Sequence, residues 1–170
     1  MLNKWWKNNS IAATIITLVR VYLGYSFLTA GWGKITSGQF DASGFIGNAI
    51  KNPVVGPDGA PVFNMYTKFL ENVALPNIEL FNVLVPWGEF LVGVGLMLGC
   101  LTTAAAFFAM VMNFSFLLAG AISHNPTDII MSVLIIAAGM NAGKVGLDRY
   151  VIPFIKKYKQ NRNEKLHVSH

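Results

Sequence analysis

Two ionisable residues stand deep inside stretches that are otherwise apolar, Arg20 and Glu89. A charge at the centre of a bilayer costs roughly 2.5–3.5 kcal/mol on insertion scales, so such residues persist where they face a bundle interior and meet a partner. Arg20, Gly24, Phe27, Gly31 and Lys34 recur at intervals of four and three, which places them on one stripe of a helix. The glycines on that stripe let a neighbouring helix come close. Counted from the outer boundary, Arg20 is about 13 residues deep and Glu89 about 8 to 10, a difference of several ångströms at 1.5 Å per residue. An arginine side chain covers that gap, so the spacing predicts an Arg20–Glu89 pair with Asn113 as its third member. Such a trio either fixes helix register or serves a ligand or a proton.

A second polar set, Lys34, His124 and Asp128, falls toward the outer surface. Lys34 either joins a site or snorkels to the headgroups. Asp128 follows Pro126 in the first turn of a helix, where a carboxylate suits the helix dipole. His124 is the one histidine near the apolar stretches, because His167 and His170 lie in the tail. Bis-histidine haem is therefore not expected, and no His, Asp and Glu spacing suggests a metal site. Cys100 is the sole cysteine, so neither an intrachain disulfide nor a CxxC relay is available. Gly95 and Gly99, after Gly88, form a small-residue face suited to helix packing.

These residues are carried by a chain of 170 residues, 54% hydrophobic and only 12% charged, against about 25% charged in ordinary soluble domains. The apolar residues come in blocks. Spans are predicted at about 11–33, 79–100, 103–123 and 128–146, each near the roughly 20 residues that cross a bilayer as a helix. Helices are required because lipid cannot satisfy an open backbone. The expected fold is all-α, an integral membrane four-helix bundle forming a single domain over 1–170. The first span is read as a retained helix rather than a signal peptide, since it is long and carries Arg20.

The 34–78 segment is an outer loop too long for a bare linker. Its centre, NPVVGPDGAPV, is turn chemistry, while FDASGFIGNAI and FNMYTKFLENV read as short amphipathic helices. In the latter, Phe63, Tyr66, Phe69, Leu70 and Val73 form the apolar side. Lys4 and Lys7 at the start, and Lys156, Lys157, Lys159, Arg162 and Lys165 in the basic tail of 150–170, predict cytoplasmic termini in the cell membrane. Trp5, Trp6 and Tyr150 suit interfacial anchors on that side. The formal charge of +5 reads as a collar for anionic lipid, not as a nucleic-acid surface.

The chain resembles the DoxX/DoxD family of small four-helix membrane proteins. The resemblance rests on FLTAGWGKI (Phe27–Ile35), PWGEFLVGVGLMLG (Pro86–Gly99), LTTAAAFFAM (Leu101–Met110) and NAGKVGLDRY (Asn141–Tyr150). Lys34, Glu89, Lys144 and Asp148 match motif positions of the family. Membership implies a place near respiratory or thiol redox chemistry, some relatives being like the large subunit of thiosulfate:quinone oxidoreductase. The leading expectation is a membrane subunit of a quinone-linked oxidoreductase system. Glu89 and Arg20 would carry the chemistry. Lys34, Trp32, Trp87, Asn113, His124 and Asp128 would bind the ligand, the aromatic rings holding the quinone. Electrons would then pass through the quinone or a redox partner subunit; a homo-oligomer is also compatible. The alternative is a non-enzymatic membrane scaffold or lipid-binding protein. A transporter is less favoured, for lack of repeats and broken helices.

Overall fold

In the computed structural model residues 2–168 are described, with side chains over 4–161. Arg162, Lys165, His167 and His170 of the predicted tail fall outside the described side chains.

The chain forms α1 (Leu2–Asn8), α2 (Ser10–Ser37), α3 (Ser43–Lys51), α4 (Asn64–Phe69), α5 (Ile78–Leu98), α6 (Thr102–Leu118), α7 (Asn125–Ala138) and α8 (Asp148–Val168). A π-helical turn, Leu70–Ala74, extends α4, and a 3-10 turn, Gly139–Gly143, extends α7. Among the described residues no strand occurs, only an isolated bridge between Val55 and Pro61 in the turn-rich centre of the loop. The all-α reading thus stands, and both predicted loop helices form.

Local chemistry sets the ends. Asn9 caps α2, its Oδ1 accepting from Ile11 N at 2.7 Å, a bond of the kind that contributes about 1 kcal/mol. Gly38 and Gly99 close α2 and α5 in the left-handed conformation, which costs glycine little. Pro126 opens the first turn of α7, where its missing N–H goes unused.

Three helical segments are long and apolar enough to cross a membrane, Ser10–Ser37, Ile78–Leu98 and Asn125–Gly143; Thr102–Leu118 is a shorter apolar helix. Its 17 residues span about 25 Å, the low end of the crossing range. These helices are apolar on their outward faces too: Leu80, Val83, Leu84 and Leu91 of α5, with Phe107 and Phe108 of α6, are exposed. A helix hydrophobic all round belongs in lipid.

Two apolar clusters organise the interior. The larger joins Ile16, Leu23 and Phe27 with Val92, Leu96, Ala106, Ala109, Ile135 and Ala138. The smaller joins Ala42, Ile46, Ala49, Leu70 and Ala74 with Phe81 and Ala119. The loop is therefore a cap seated on the beginning of α5 and the end of α6. Tyr66 Oη donates to Ser115 O at 2.8 Å, and Ala42 N donates to Asn82 Oδ1 at 2.8 Å. Burial raises the Tyr66 hydroxyl above its ordinary pKa, partly offset by its bond to Ser115. The predicted apolar side of this segment divides: Leu70 is buried, but Phe63, Phe69 and Val73 are exposed. For Val73 the π turn Leu70–Ala74 supplies the reason, because it rotates the side chains within and after it relative to a continuous α-helix.

At the opposite end, the terminal face, α1 folds across the bundle. Asn141 Nδ2 donates to Trp6 O at 2.9 Å and to Asn9 O at 3.0 Å. Trp6 is tied into this face: its Nε1 donates to Leu134 O at 3.0 Å, and its ring packs on the main core.

Candidate functional site

The α2–α5 contact decides where the charges go. Built Cβ atoms would strike Phe90 from Gly31, Leu28 from Gly93, and Met97 N, at 2.9 Å, from Gly24. These contacts describe one antiparallel register in which steps back along α2 match steps forward along α5. Glu89 then lies level with Trp32, and Arg20 lies a dozen residues away along the axis, about 18 Å. The predicted Arg20–Glu89 pair therefore does not form. Depth along each apolar stretch would bring the two charges together only if α2 and α5 started level. In fact α5 begins under the loop cap and overshoots the end of α2.

Glu89 instead meets Lys34. The ammonium lies 2.5 Å from the carboxylate, with the glutamate side chain 5% exposed and the lysine 29%. Lys34 thus does not snorkel away to the headgroups. Its Nζ also stands 5.5 Å from the centroid of the Phe40 ring, a cation–π arrangement. Pro86, one turn before Glu89, lies inside α5 and leaves the carbonyl of Asn82 without its helical donor. The pair lies between the two apolar clusters, with Phe27 and Val92 in the main core and Phe40 and Phe81 at the cap.

Aromatic rings line the outward side of the same level. Trp32 and Phe90 stand 5.8 Å apart, and Trp87 meets Phe90 edge-on at 5.9 Å. Trp32 is 55% exposed and Trp87 49%, so both face the lipid flank of the bundle. A buried ion pair and a laterally open aromatic wall thus share one level. Phe90, which links the two tryptophans, was not among the residues singled out from sequence. Its place directly after Glu89, one residue off the buried stripe, was the available signal.

Asn113 is 1% exposed and donates to Ala109 O at 3.0 Å. That is a local bond along its own helix, so it is not the third member of an Arg20–Glu89 trio. Gly88 faces Met112 and Gly95 faces Ala105, a register that nevertheless brings Asn113 within about a turn of Glu89 in height. The predicted outer set is split. His124 Nδ1 and Asp128 Oδ2 are 2.7 Å apart, with Asp128 buried and His124 open, but the partner of Lys34 is Glu89.

Arg20 belongs to the terminal face. Its guanidinium donates to Ala142 O at 2.9 Å and Val145 O at 2.8 Å, and Asp148 is the carboxylate that opposes its charge. Asp148 in turn accepts from Leu101 N at 2.6 Å and Thr102 N at 2.9 Å. It caps α6 from a distant part of the chain, where Leu101 holds a left-handed φ of 50° and supplies no side-chain cap. The backbone completes the join, Asp148 N donating to Gly99 O at 2.8 Å. Gly99, Gly143 and Gly146 make the space: a Cβ on Gly143 would overlap the Asp148 carboxylate, and one on Gly146 would meet Gly99 and Arg20 at 2.9 Å. The NAGKVGLD run is thus a structural knot, with Lys144 on its exposed side.

Among the described residues no group of three or more His, Cys, Asp and Glu gathers as metal ligands would. No curated protein matches the chain, and no solved structure does. A family model, DoxX, matches residues 15–122, a segment that takes in Arg20, Lys34, Glu89 and Asn113 and stops before His124 and the knot at 141–148. That match covers most of the chain and takes in the first three of the motifs above, Phe27–Ile35, Pro86–Gly99 and Leu101–Met110: this protein belongs to the DoxX family.

Proposed function

We propose that the protein is the membrane subunit of a quinone-linked oxidoreductase system, with Lys34 and Glu89 at its centre and its termini in the cytoplasm. The observation that carries this reading is the buried ion pair placed beside half-exposed Trp32 and Trp87 on the lipid flank. A quinone is an apolar ring with polar oxygens and arrives laterally from lipid, so it needs an aromatic wall and a polar end. Lys34 Nζ would donate to a carbonyl oxygen of the ring. Glu89 would accept the proton of a quinol hydroxyl as electrons leave, since a carboxylate held by a mobile ammonium can exchange that partner. The quinone supplies the redox chemistry, and a redox partner subunit takes or gives the electrons. Asn113 and the His124–Asp128 pair stand on the same half of the bundle as polar neighbours.

Arg20 is read differently here, as a positioning residue of the terminal face. Its Nη1 and Nη2 donate to backbone carbonyls, while its buried Nε has no hydrogen-bond partner among the described residues. That commitment also favours a scaffold role for the terminal half of the molecule.

The test is mass spectrometry of protein extracted gently from its own membrane, wild type beside Glu89→Gln. Quinone retained by the wild type and lost in a folded Glu89→Gln variant supports the reading. Phospholipid alone in both, with no stoichiometric redox partner, sinks it and leaves the scaffold.

A further inference from the structure

A groove of about 320 Å³ opens on the terminal face between α1, the 3-10 turn and the start of α8. Lys7, Lys144 and Arg149 line it. The one acid in its wall, Asp148, is 3% exposed and already receives two backbone amides. The groove therefore presents three cations to a single carboxylate turned inward. Its walls are fixed, because Asn141 ties α1 to the turn through Trp6 O and Asn9 O. Lys144 Nζ has only a long contact, 3.4 Å, to Ser10 Oγ, and Arg149 leans on the Tyr150 ring at 5.2 Å.

The surroundings are apolar. Met140 in the groove wall is exposed, as are Tyr150 and Phe154 of α8, at the end of the bundle where the long apolar helices stop. Cations fixed at the rim of a lipid-facing surface suit an anion that brings its own acyl chains.

We propose that this groove binds the phosphodiester headgroup of an anionic phospholipid, held by Lys7, Lys144 and Arg149. It is a discrete site, separate from the diffuse attraction of the α8 lysines, and it does not depend on the quinone reading. A volume of this size accommodates a phosphate with its glycerol.

The experiment is native mass spectrometry of the full chain in detergent, titrated with phosphatidylglycerol or phosphatidylcholine. Each basic residue near an anionic headgroup contributes several-fold in affinity, so Lys7→Gln/Lys144→Gln/Arg149→Gln should weaken phosphatidylglycerol binding by roughly 100-fold. The control Lys156→Gln/Lys157→Gln/Lys159→Gln should change it by less than about threefold, because a detergent micelle carries no anionic surface for α8 to sense. Equal losses in the two variants, or no preference for phosphatidylglycerol over phosphatidylcholine in the wild type, would overturn the proposal. Competition by inorganic phosphate at equal concentration would overturn the lipid assignment in favour of a soluble anion. A photoactivatable phosphatidylglycerol on the unsubstituted chain provides a readout free of folding effects. Labelling at Asn8 and Met140 supports the site, and labelling spread along α8 refutes it.

Discussion

The two buried charge systems of this bundle are built on opposite plans. At the terminal face Arg20 and Asp148 spend their hydrogen bonds on backbone: the guanidinium on Ala142 O and Val145 O, the carboxylate on Leu101 N and Thr102 N. At the cap end Lys34 and Glu89 hold each other and no backbone group. A charge tied to backbone cannot leave without undoing two helix ends. A charge tied to one long side chain can change partner by a rotamer. The difference separates a structural use of intramembrane charge from one open to exchange, although both satisfy the same need to pair what is buried.

The contrast breaks most visibly at the terminal knot. Asp148→Asn should leave the buried Arg20 charge uncompensated, and Arg20→Met should leave the Ala142 and Val145 carbonyls without their donor and the buried Asp148 charge uncompensated. Leaving a buried charge uncompensated in this way costs about 3–5 kcal/mol, to be read as a large drop in unfolding midpoint in detergent. A midpoint within a degree or two of wild type would mean the knot is not what joins α5, α6 and α8.

Next in size is the helix contact that aligns the cap-end pair. Gly93→Val places side-chain atoms against the α2 backbone at Leu28, and over-packing of this kind costs about 1–3 kcal/mol. The same variant should loosen the Lys34–Glu89 distance. Infrared difference spectra of the Glu89 carboxylate check that, and an unaltered band would detach the pair from the register. A smaller effect is expected at the cap itself: Tyr66→Phe removes one bond to Ser115 O, worth about 1 kcal/mol, with faster hydrogen exchange confined to 43–74.

The cap-end pair sharpens the contrast from the other side. Replacing both charges, Lys34→Met with Glu89→Met, should leave stability within about 1 kcal/mol of wild type, since a buried ion pair replaced by apolar residues is often neutral. The proposed quinone reading further predicts that quinone-linked turnover falls by 10²-fold or more, a loss typical of removing a proton-transfer group. A double variant that fails to fold would move this pair into the structural class with Arg20.

The smallest effect lies in the loop. Asp41, fully exposed, is held below its ordinary pKa of 3.8 by the Ser43 hydroxyl and amide. A lowered folded pKa means the stabilisation is complete above 3.8 and fades as pH falls through the lower value. Exchange protection of Ser43–Lys51 should therefore decline below that point in wild type, and should show no such decline in Asp41→Asn.

Much of the architecture was legible from sequence. The blocks of apolar residues were long enough to announce membrane-crossing helices, and the four-and-three spacing from Arg20 to Lys34 correctly marked the buried stripe of α2. The loop helices were visible in their periodicity. Gly24 and Gly31 were read as points of close approach and are so. The partners were not legible. Gly93, which meets the α2 backbone at Leu28, lies on a different face from Gly88 and Gly95, which face Met112 and Ala105 of α6. Asp148 was known only as a motif position, because a cap donated across 46 residues leaves no local pattern.

By itself, then, the sequence determined which residues are apolar enough for lipid, which helices they make, and which ionisable groups must be buried, since hydropathy and helical period are properties of a segment alone. Tertiary structure decided which charge meets which. That choice depends on the axial offset between helices, and the offset is set by where glycines allow two backbones to touch. A shift of a few residues in that contact separated Arg20 from Glu89, gave Glu89 to Lys34, and left Arg20 to close the far end of the bundle.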